Sequence, residues 1–111
     1  MPKRVVPRAR AAQDVDEAIS YYLHEAGDRV ALRFIDAVER AYRHISGYPA
    51  SGSLRYAQEL DLLGLRFWRL RRFPYLVFYI EHQDHVDVWR VLQAERDIPK
   101  WLADQENAQE S

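Results

Sequence analysis

The sequence predicts an α+β fold with a short N-terminal strand, a two-helix hairpin, a three-stranded antiparallel meander and a short C-terminal helix. Two patterns indicate this. Apolar residues in the first half recur at helical three-and-four spacing, whereas residues 65–92 contain three runs in which apolar and charged residues alternate. A length of 111 residues suits about one domain. We therefore expect a single domain over residues 1–111, with residues 103–111 as a frayed tail.

The N-terminal half is predicted to contain one strand and two helices. Residues 3–6 are typical of a very short strand, and helical spacing of apolar residues predicts helices over residues 8–26 and 29–45. Gly27 can end the first helix in the left-handed conformation, and Asp28 can cap the second by accepting a backbone hydrogen bond. A tight helical hairpin follows from this arrangement.

Residues 46–64 lack any periodicity and are predicted to form a long connection. The segment contains Gly47, Pro49 and Gly52, and it is longer than the usual loop in a compact domain. A short strand or turn fits at residues 60–63. The role of the connection is left open by the sequence.

Three runs with short connections predict the meander: residues 65–71, 75–81 and 85–92. The middle run is apolar on both faces, which is typical of a central strand. In the last run, strict alternation places Arg90 on the same side as Val88. After it, residues 100–107 resemble a short helix anchored by two large apolar side chains, Trp101 and Leu102.

Composition excludes several classes of function. The chain has no cysteine, and its four histidines are scattered, so neither a disulfide framework nor a dedicated metal site is expected. His82 and His85 are interpreted as parts of a polar hairpin turn. We find no phosphate loop, nucleophile elbow or metalloprotease motif, and we expect no cofactor. Without a signal-peptide pattern or a long apolar segment, a cytoplasmic protein without membrane contact is expected.

Arginine accounts for fourteen of the 16 basic residues, and several cluster at the start of the meander. Alternation along the strand places Arg69 and Arg71 on one face and Arg66 and Arg72 on the other, so a single basic patch is not expected. The charges either protect a solvated edge strand from aggregation or bind an anionic partner. Of the three tryptophans, Trp101 is the best candidate for an interface residue because it lies in the least structured part of the chain.

A series of short motifs carries a family resemblance over nearly the whole chain, up to about residue 102. In chain order they are residues 11–22, Ala31-Leu32-Arg33-Phe34, Tyr48-Pro49, Gly64-Leu65-Arg66, Val77-Phe78-Tyr79, Arg90-Val91-Leu92 and Arg96-Asp97-Ile98-Pro99. Their order and spacing resemble ParE-type toxins of bacterial type II toxin–antitoxin systems, within the RelE/ParE superfamily. The family's fold, a small sheet that carries a two-helix hairpin, agrees with the elements predicted above.

The resemblance implies a growth-inhibiting toxin that is encoded beside its antitoxin and is often associated with plasmid or chromosomal stabilisation. ParE-like members inhibit DNA gyrase, whereas RelE-like members cleave mRNA on the ribosome. Many relatives carry a histidine where this chain has Gln93. This difference favours a non-enzymatic gyrase inhibitor over a ribonuclease, because an amide cannot exchange a proton with the ribose hydroxyl. A non-toxic protein-interaction module is a third interpretation.

The residues expected to bind gyrase or the antitoxin are Arg69, Arg71, Arg90, Arg96 and Trp101. No catalytic residue is assigned in the leading interpretation. In the ribonuclease alternative, the same four arginines would serve the reaction, and only then is direct nucleic-acid binding expected. The antitoxin should be ParD-like, with an acidic C-terminal segment that neutralises these arginines.

Overall fold

The structure is a computed structural model, and it describes residues 1–102. The predicted tail at 103–111, like the end of the predicted last helix, lies outside the described residues. The elements agree with the predicted α+β fold, with one additional short helix in the connection. They are β1 (Arg4–Pro7), α1 (Ala9–Ala26), α2 (Asp28–Gly47), a 3₁₀ turn (Pro49–Ser51), α3 (Arg55–Glu59), β2 (Leu65–Arg69), β3 (Tyr75–Glu81), β4 (His85–Gln93) and α4 (residues 98–102).

The four strands form one mixed sheet in the order β1-β4-β3-β2. The β2-β3-β4 meander is antiparallel, as predicted, and β1 adds to β4 as a parallel edge strand. A parallel pair requires a long crossover, and the α1–α2 hairpin and the connection to β2 lie between these two strands in the chain. Residues 75–79 of β3 are all buried, which confirms that the middle run is a central strand.

The helical hairpin covers one face of the sheet. Phe34 and Ile45 of α2 are fully buried and belong to the same apolar cluster as Val77 and Tyr79 of β3. Gly27 has a positive φ of 91°, and its N–H donates to α1 carbonyls, so it ends α1 as predicted. Asp28, however, is the first residue of α2 and makes no capping hydrogen bond; the α2 N-cap is Gly27. The Asp28 carboxylate still lies at the positive, N-terminal end of α2.

A second apolar cluster fills the opposite face of the sheet. Its fully buried members include Phe78 of β3 and two residues of α4, Ile98 and Leu102. Tyr56 and Leu60, in and after α3, pack against the same cluster. The sheet therefore has a layer on each side, which explains why β3 can be apolar on both faces. None of the helices within residues 1–102 is long and apolar enough to cross a membrane.

A β-bulge interrupts the pairing of β3 with β4. Tyr79 pairs with Val88, but the neighbouring Phe78 pairs with Arg90, so Trp89 is the extra residue. The bulge shifts the alternation of side chains along β4 by one position. Arg90 therefore lies opposite a residue of the second cluster, and the expectation that it shares a face with Val88 was wrong.

Arg90 forms a buried ion pair with Asp14 of α1. Its Nε and Nη2 donate to the two carboxylate oxygens of Asp14, each over 2.8 Å, and the two residues are 1% and 8% exposed. The backbone N–H of Val91 donates to the same carboxylate over 3.0 Å. Because β1 pairs with β4 only as far as Val88, Asp14 occupies the edge of β4 that β1 leaves open. Arg90 Nη1 also donates to the Trp101 carbonyl over 3.3 Å, which attaches α4.

The long connection is attached to the sheet by Tyr79. The Tyr79 hydroxyl donates to the Pro49 carbonyl over 2.7 Å and accepts from the Gly52 N–H over 3.0 Å. Burial raises the pKa of Tyr79 above its ordinary value, so a hydroxyl that is already protonated at neutral pH stays a donor to still higher pH. A Cβ at position 52 would collide with this hydroxyl. Ser53 then pairs with Phe67 through two backbone hydrogen bonds. The connection therefore follows a defined path, with a turn at residues 60–61 inside the range where one was expected.

Replacing Asp14 with Asn should lower the free energy of unfolding by about 3–5 kcal/mol, because the Arg90 charge would stay buried without a counter-charge. Asp16→Asn, on the exposed side of the same helix, is the matched control and should change it by less than about 0.5 kcal/mol. Urea denaturation followed by circular dichroism measures both. A loss below about 1 kcal/mol for Asp14→Asn would contradict the structural role of the pair.

Candidate functional site

A groove runs between α2 and the chain segment that joins β2 to β3. It consists of two adjoining cavities of about 530 and 370 Å³, which share Ala37, Arg40 and Arg71. We call it the arginine groove. Its lining residues are Val30, Arg33, Asp36, Ala37, Arg40, Ala41 and His44 from α2, and Trp68, Arg69, Arg71, Arg72 and Phe73 from the end of β2 and the turn.

Five exposed arginines line this groove: Arg33, Arg40, Arg69, Arg71 and Arg72. The strand alternation that separated Arg71 from Arg72 does not apply, because β2 ends at Arg69 and Leu70 turns into the core. Arg72 then adopts a left-handed conformation with φ of 70°. Both side chains thereby line one groove together with Arg69, so the expectation that Arg72 is separated from Arg69 and Arg71 was wrong. Arg66 lies apart, where its Nη1 donates to the Gly52 carbonyl over 2.8 Å.

The groove is strongly positive. Within residues 1–102, Asp36 is the only acidic residue in its lining, and its carboxylate forms an ion pair with Arg40, whose Nε lies 2.8 Å away. No ion pair within residues 1–102 involves the other four arginines. Guanidinium groups recognise carboxylates and phosphates through paired hydrogen bonds, and several together raise the local concentration of anions. The groove is therefore suited to an anionic partner.

An aromatic ladder closes one end of the groove. The rings of Trp68 and His44 are stacked, with centroids 3.9 Å apart and planes 20° apart. The His44 ring in turn lies beside the ring of Tyr48, with the two centroids 5.5 Å apart. Tyr48 is 67% exposed, so the ladder leads from the groove wall to solvent. His44 Nε2 forms a 2.9 Å hydrogen bond with the Ser51 hydroxyl, which fixes the position of the middle ring.

A second cleft, of about 380 Å³, lies between α1 and the end of β4. Here the Arg96 guanidinium lies 4.5 Å from the ring centroid of Trp101, and Arg90 lies 5.3 Å from the same centroid. Gln93 also lines the cleft, and its amide donates to the Tyr75 hydroxyl over 3.3 Å. We call this the C-terminal cleft; its lining residues are Asp14, Glu17, Ala18, Tyr21, Tyr75, Val91, Leu92, Gln93, Arg96 and Trp101.

The β3–β4 turn holds two stacked histidines, His82 and His85, with ring centroids 4.8 Å apart. Each lies beside a carboxylate: His82 is 3.5 Å from Asp87, and His85 is 2.7 Å from Asp84. Burial acts to raise the pKa of Asp87, but two hydrogen bonds from the Arg8 guanidinium outweigh it and the pKa is lowered. Within residues 1–102, no group of three or more potential ligand side chains could hold a metal ion.

Comparison with known proteins identifies the family. The family model described as the ParE toxin of the type II toxin–antitoxin system, parDE, matches residues 5–98. The chain belongs to the ParE toxin family. The match covers the residues of the arginine groove and those of the C-terminal cleft as far as Ile98. It confirms the resemblance found in the sequence motifs. A ParE toxin has an antitoxin as its partner.

A solved structure gives the same fold for this ParE toxin. The structure described as "Chromosomal ParDE TA system from P. aeruginosa" matches with a TM-score of 0.70 over 84% of this chain and 97% of that chain. The two sequences are 18% identical, so the likeness concerns the fold. Among curated proteins, none is similar enough to this chain to count as a relative.

The residues proposed from the sequence divide between three places in this ParE toxin. Arg69 and Arg71 lie in the arginine groove, while Arg96 and Trp101 form a pair at the C-terminal cleft. Arg90 is 1% exposed and bonded to Asp14, which leaves it no surface for a partner.

Two groove residues of α2, Arg33 and Arg40, were not identified from the sequence. Their spacing of seven residues, with Asp36 between them, places them on one side of the helix. This periodicity is present in the sequence, but charges of both signs along one helix face are typical of any solvent-exposed helix and do not by themselves indicate a site. Arg72, in the turn, could not be assigned to the groove without its left-handed conformation.

Variants of the ParE toxin should separate surface arginines from the buried one. Arg71→Gln and Arg72→Gln should leave the free energy of unfolding within about 0.5 kcal/mol of the parent, since both side chains are exposed. Arg90→Gln should cost about 3 kcal/mol or more, because it leaves the Asp14 carboxylate buried without its counter-charge. Urea denaturation measures all three. Equal effects for Arg71→Gln and Arg90→Gln would contradict these placements.

Proposed function

We propose that this ParE toxin arrests growth by binding DNA gyrase, and that its antitoxin neutralises it by covering the arginine groove. The observation that supports antitoxin binding is the composition of the groove: in the part of the chain that the structure describes, five exposed arginines line it together with one carboxylate, which is already paired with Arg40. A partner with an acidic segment would supply the missing counter-charges. Since gyrase and its DNA are in the cytoplasm, this function places the toxin there.

Inhibition by binding rather than by catalysis is supported by the C-terminal cleft. By the family resemblance, Gln93 occupies the position at which many relatives have a histidine, and here its amide donates to the Tyr75 hydroxyl. An amide neither takes nor gives a proton at neutral pH, so it cannot act as a general base. Arg90, which a ribonuclease would need near its substrate, is bonded to Asp14. Gyrase as the target follows from the family resemblance.

A ParD-like antitoxin with an acidic C-terminal segment fits the groove in shape as well as charge. Ala37 and Ala41 line it one helical turn apart, and such small side chains allow the backbone of a second helix to approach closely. Carboxylates on this helix would then reach Arg69 and Arg71 on one side and Arg40 on the other. The pair of Arg96 and Trp101 offers a second contact, to the antitoxin or to gyrase.

Ribosome-dependent mRNA cleavage is the second candidate. One observation favours it: the imidazole of His44 lies in the arginine groove with Arg69 and Arg71. Histidine is the commonest general base, and arginines could hold the phosphate. In the described structure, however, the imidazole is stacked on Trp68 and bonded to Ser51.

Controlled expression of the toxin tests the target. We expect cleaved chromosomal DNA and induction of the DNA-damage response, and we expect purified toxin to inhibit supercoiling by gyrase in vitro, because a bound toxin would stabilise one state of the gyrase cycle. Rapid, translation-dependent mRNA cleavage with intact DNA would contradict the gyrase target. Absence of toxicity with intact antitoxin binding would support the interaction module instead.

Reversing charges in the groove tests antitoxin binding. The double variant Arg69→Glu with Arg71→Glu should weaken binding of the antitoxin at least tenfold, because like charges would face its acidic segment. Arg10→Glu changes an exposed arginine outside the arginine groove and the C-terminal cleft. It should leave the affinity for the antitoxin within about twofold of that of the parent protein. Isothermal titration calorimetry at 150 mM salt measures both affinities. Unchanged affinity in the double variant would place the antitoxin elsewhere on the toxin.

A further inference from the structure

We propose that the part of the arginine groove beside the aromatic ladder binds single-stranded nucleic acid. In this arrangement Arg40, Arg69 and Arg71 contact the phosphates, and a base stacks on Tyr48. The sequence alone argued against nucleic-acid binding, because alternation separated the arginines. The structure removes that objection by bringing the arginines of the strand, the turn and α2 together. The inference does not depend on gyrase being the target.

The phosphate-binding element is the cavity of about 370 Å³ at this end of the groove. Arg40, Arg69 and Arg71 line it, and none of the acidic side chains within residues 1–102 does. Asp36, in the adjoining cavity, pairs with Arg40 Nε at 2.8 Å and leaves the two Nη groups of Arg40 for a phosphate. The three guanidinium groups come from separate elements, since Arg40 lies on α2, Arg69 ends β2 and Arg71 lies in the turn. Phosphates that pass along this cavity could therefore meet arginines from both walls. Its volume is within the range of sites that hold a ligand the size of a nucleotide.

The base-binding element is the ladder of Trp68, His44 and Tyr48. Trp68 and His44 form the wall of the same cavity, and the ring of Tyr48, tilted by 33° against that of His44, continues the ladder outward with 67% of the residue exposed. The Ser51 hydroxyl positions the ladder through two hydrogen bonds. It donates to the Tyr48 carbonyl over 2.7 Å, and it also bonds to the His44 imidazole. A base could stack on this exposed ring without any rearrangement of the ladder. Such stacking contributes about 1–3 kcal/mol per base in single-strand-binding proteins.

The combination of arginines and an exposed ring distinguishes a nucleic-acid strand from other anions. An acidic peptide would satisfy the arginines but has no base to place on Tyr48. A duplex offers phosphates, but its base faces are covered by neighbouring bases. A single strand uses both elements at once, as in sites that combine a positive groove with stacking residues. DNA and RNA share this chemistry, and the experiment separates them.

Fluorescence anisotropy with labelled (dT)12, (rU)12 and a 12-base-pair duplex tests the inference on the full chain. We expect both single strands to bind more tightly than the duplex. The logarithm of the binding constant should fall with the logarithm of salt concentration with a slope of about −2, as expected for three phosphate contacts at about 0.7 each. The intact length of the oligonucleotides is checked by electrophoresis after each titration.

Two kinds of variant test the two elements separately. Tyr48→Ala should weaken single-strand binding about tenfold with an unchanged salt slope, whereas Tyr48→Phe should bind like the parent because the ring is kept. Arg71→Gln should weaken binding and reduce the slope by about 0.7. Arg10→Gln, an exposed arginine outside the groove, is the control for general charge. Thermal unfolding confirms that each variant is folded.

Several results would overturn the inference. They are equal affinity for duplex and single strand, binding that Tyr48→Ala leaves unchanged, and capture of a polyglutamate peptide without capture of either oligonucleotide. Cleavage of an oligonucleotide that depends on Tyr48 and Arg71 would support binding at this groove and would contradict the proposed gyrase target instead. The outcomes for gyrase are distinguishable. A toxin that inhibits gyrase but binds no oligonucleotide contradicts this inference alone, and one that binds oligonucleotides without inhibiting gyrase contradicts only the proposed target.

Discussion

The fold depends on one buried carboxylate, that of Asp14. It accepts two hydrogen bonds from Arg90 and one from the Val91 backbone, so it joins α1 to β4 at the edge that β1 leaves open. Arg90 extends the connection to the Trp101 carbonyl in α4. Removing two charges from water is costly, and only good geometry with further hydrogen bonds offsets that cost. Here the sheet, the helical layer and the C-terminal helix all meet at one ion pair.

Arg90 and the arginines of the groove have opposite environments. Arg90 is used internally, whereas the arginines of the groove project from α2, β2 and the turn into solvent. The net charge of −1 conceals this separation, since the groove, as far as residues 1–102 form it, gathers five positive groups around one carboxylate. Like charges held together by a rigid scaffold repel one another until a partner arrives. Part of the affinity for an anion therefore comes from relief of that repulsion.

Periodicity predicted the elements well because their environments are simple. A strand that is apolar on both faces has to be central, and a helix with one apolar stripe has to cover a sheet, as β3 and α2 do. The site was harder to predict because it depends on departures from periodicity. The bulge at Trp89 moves Arg90 to the other side of β4, and the left-handed Arg72 turns its side chain into the groove. Neither Trp89 nor Arg72 is a glycine or a proline, so the sequence carries no local signal for either departure. The place of β1 beside β4 likewise depends on long-range pairing.

The Tyr79 hydroxyl has a consequence for how chains of this fold can vary in length. By holding Pro49 and Gly52, it converts one long connection into two short ones, anchored before and after residue 52. Residues 49–53 are confined by the hydroxyl and by the pairing of Ser53 with Phe67. Leu63, in contrast, is 97% exposed and precedes Gly64, which has a positive φ of 81°. Insertions and deletions among relatives should therefore accumulate near Leu63. The number of residues between Pro49 and Ser53 should stay constant, because the Tyr79 hydroxyl and the pairing with Phe67 fix both ends of that segment.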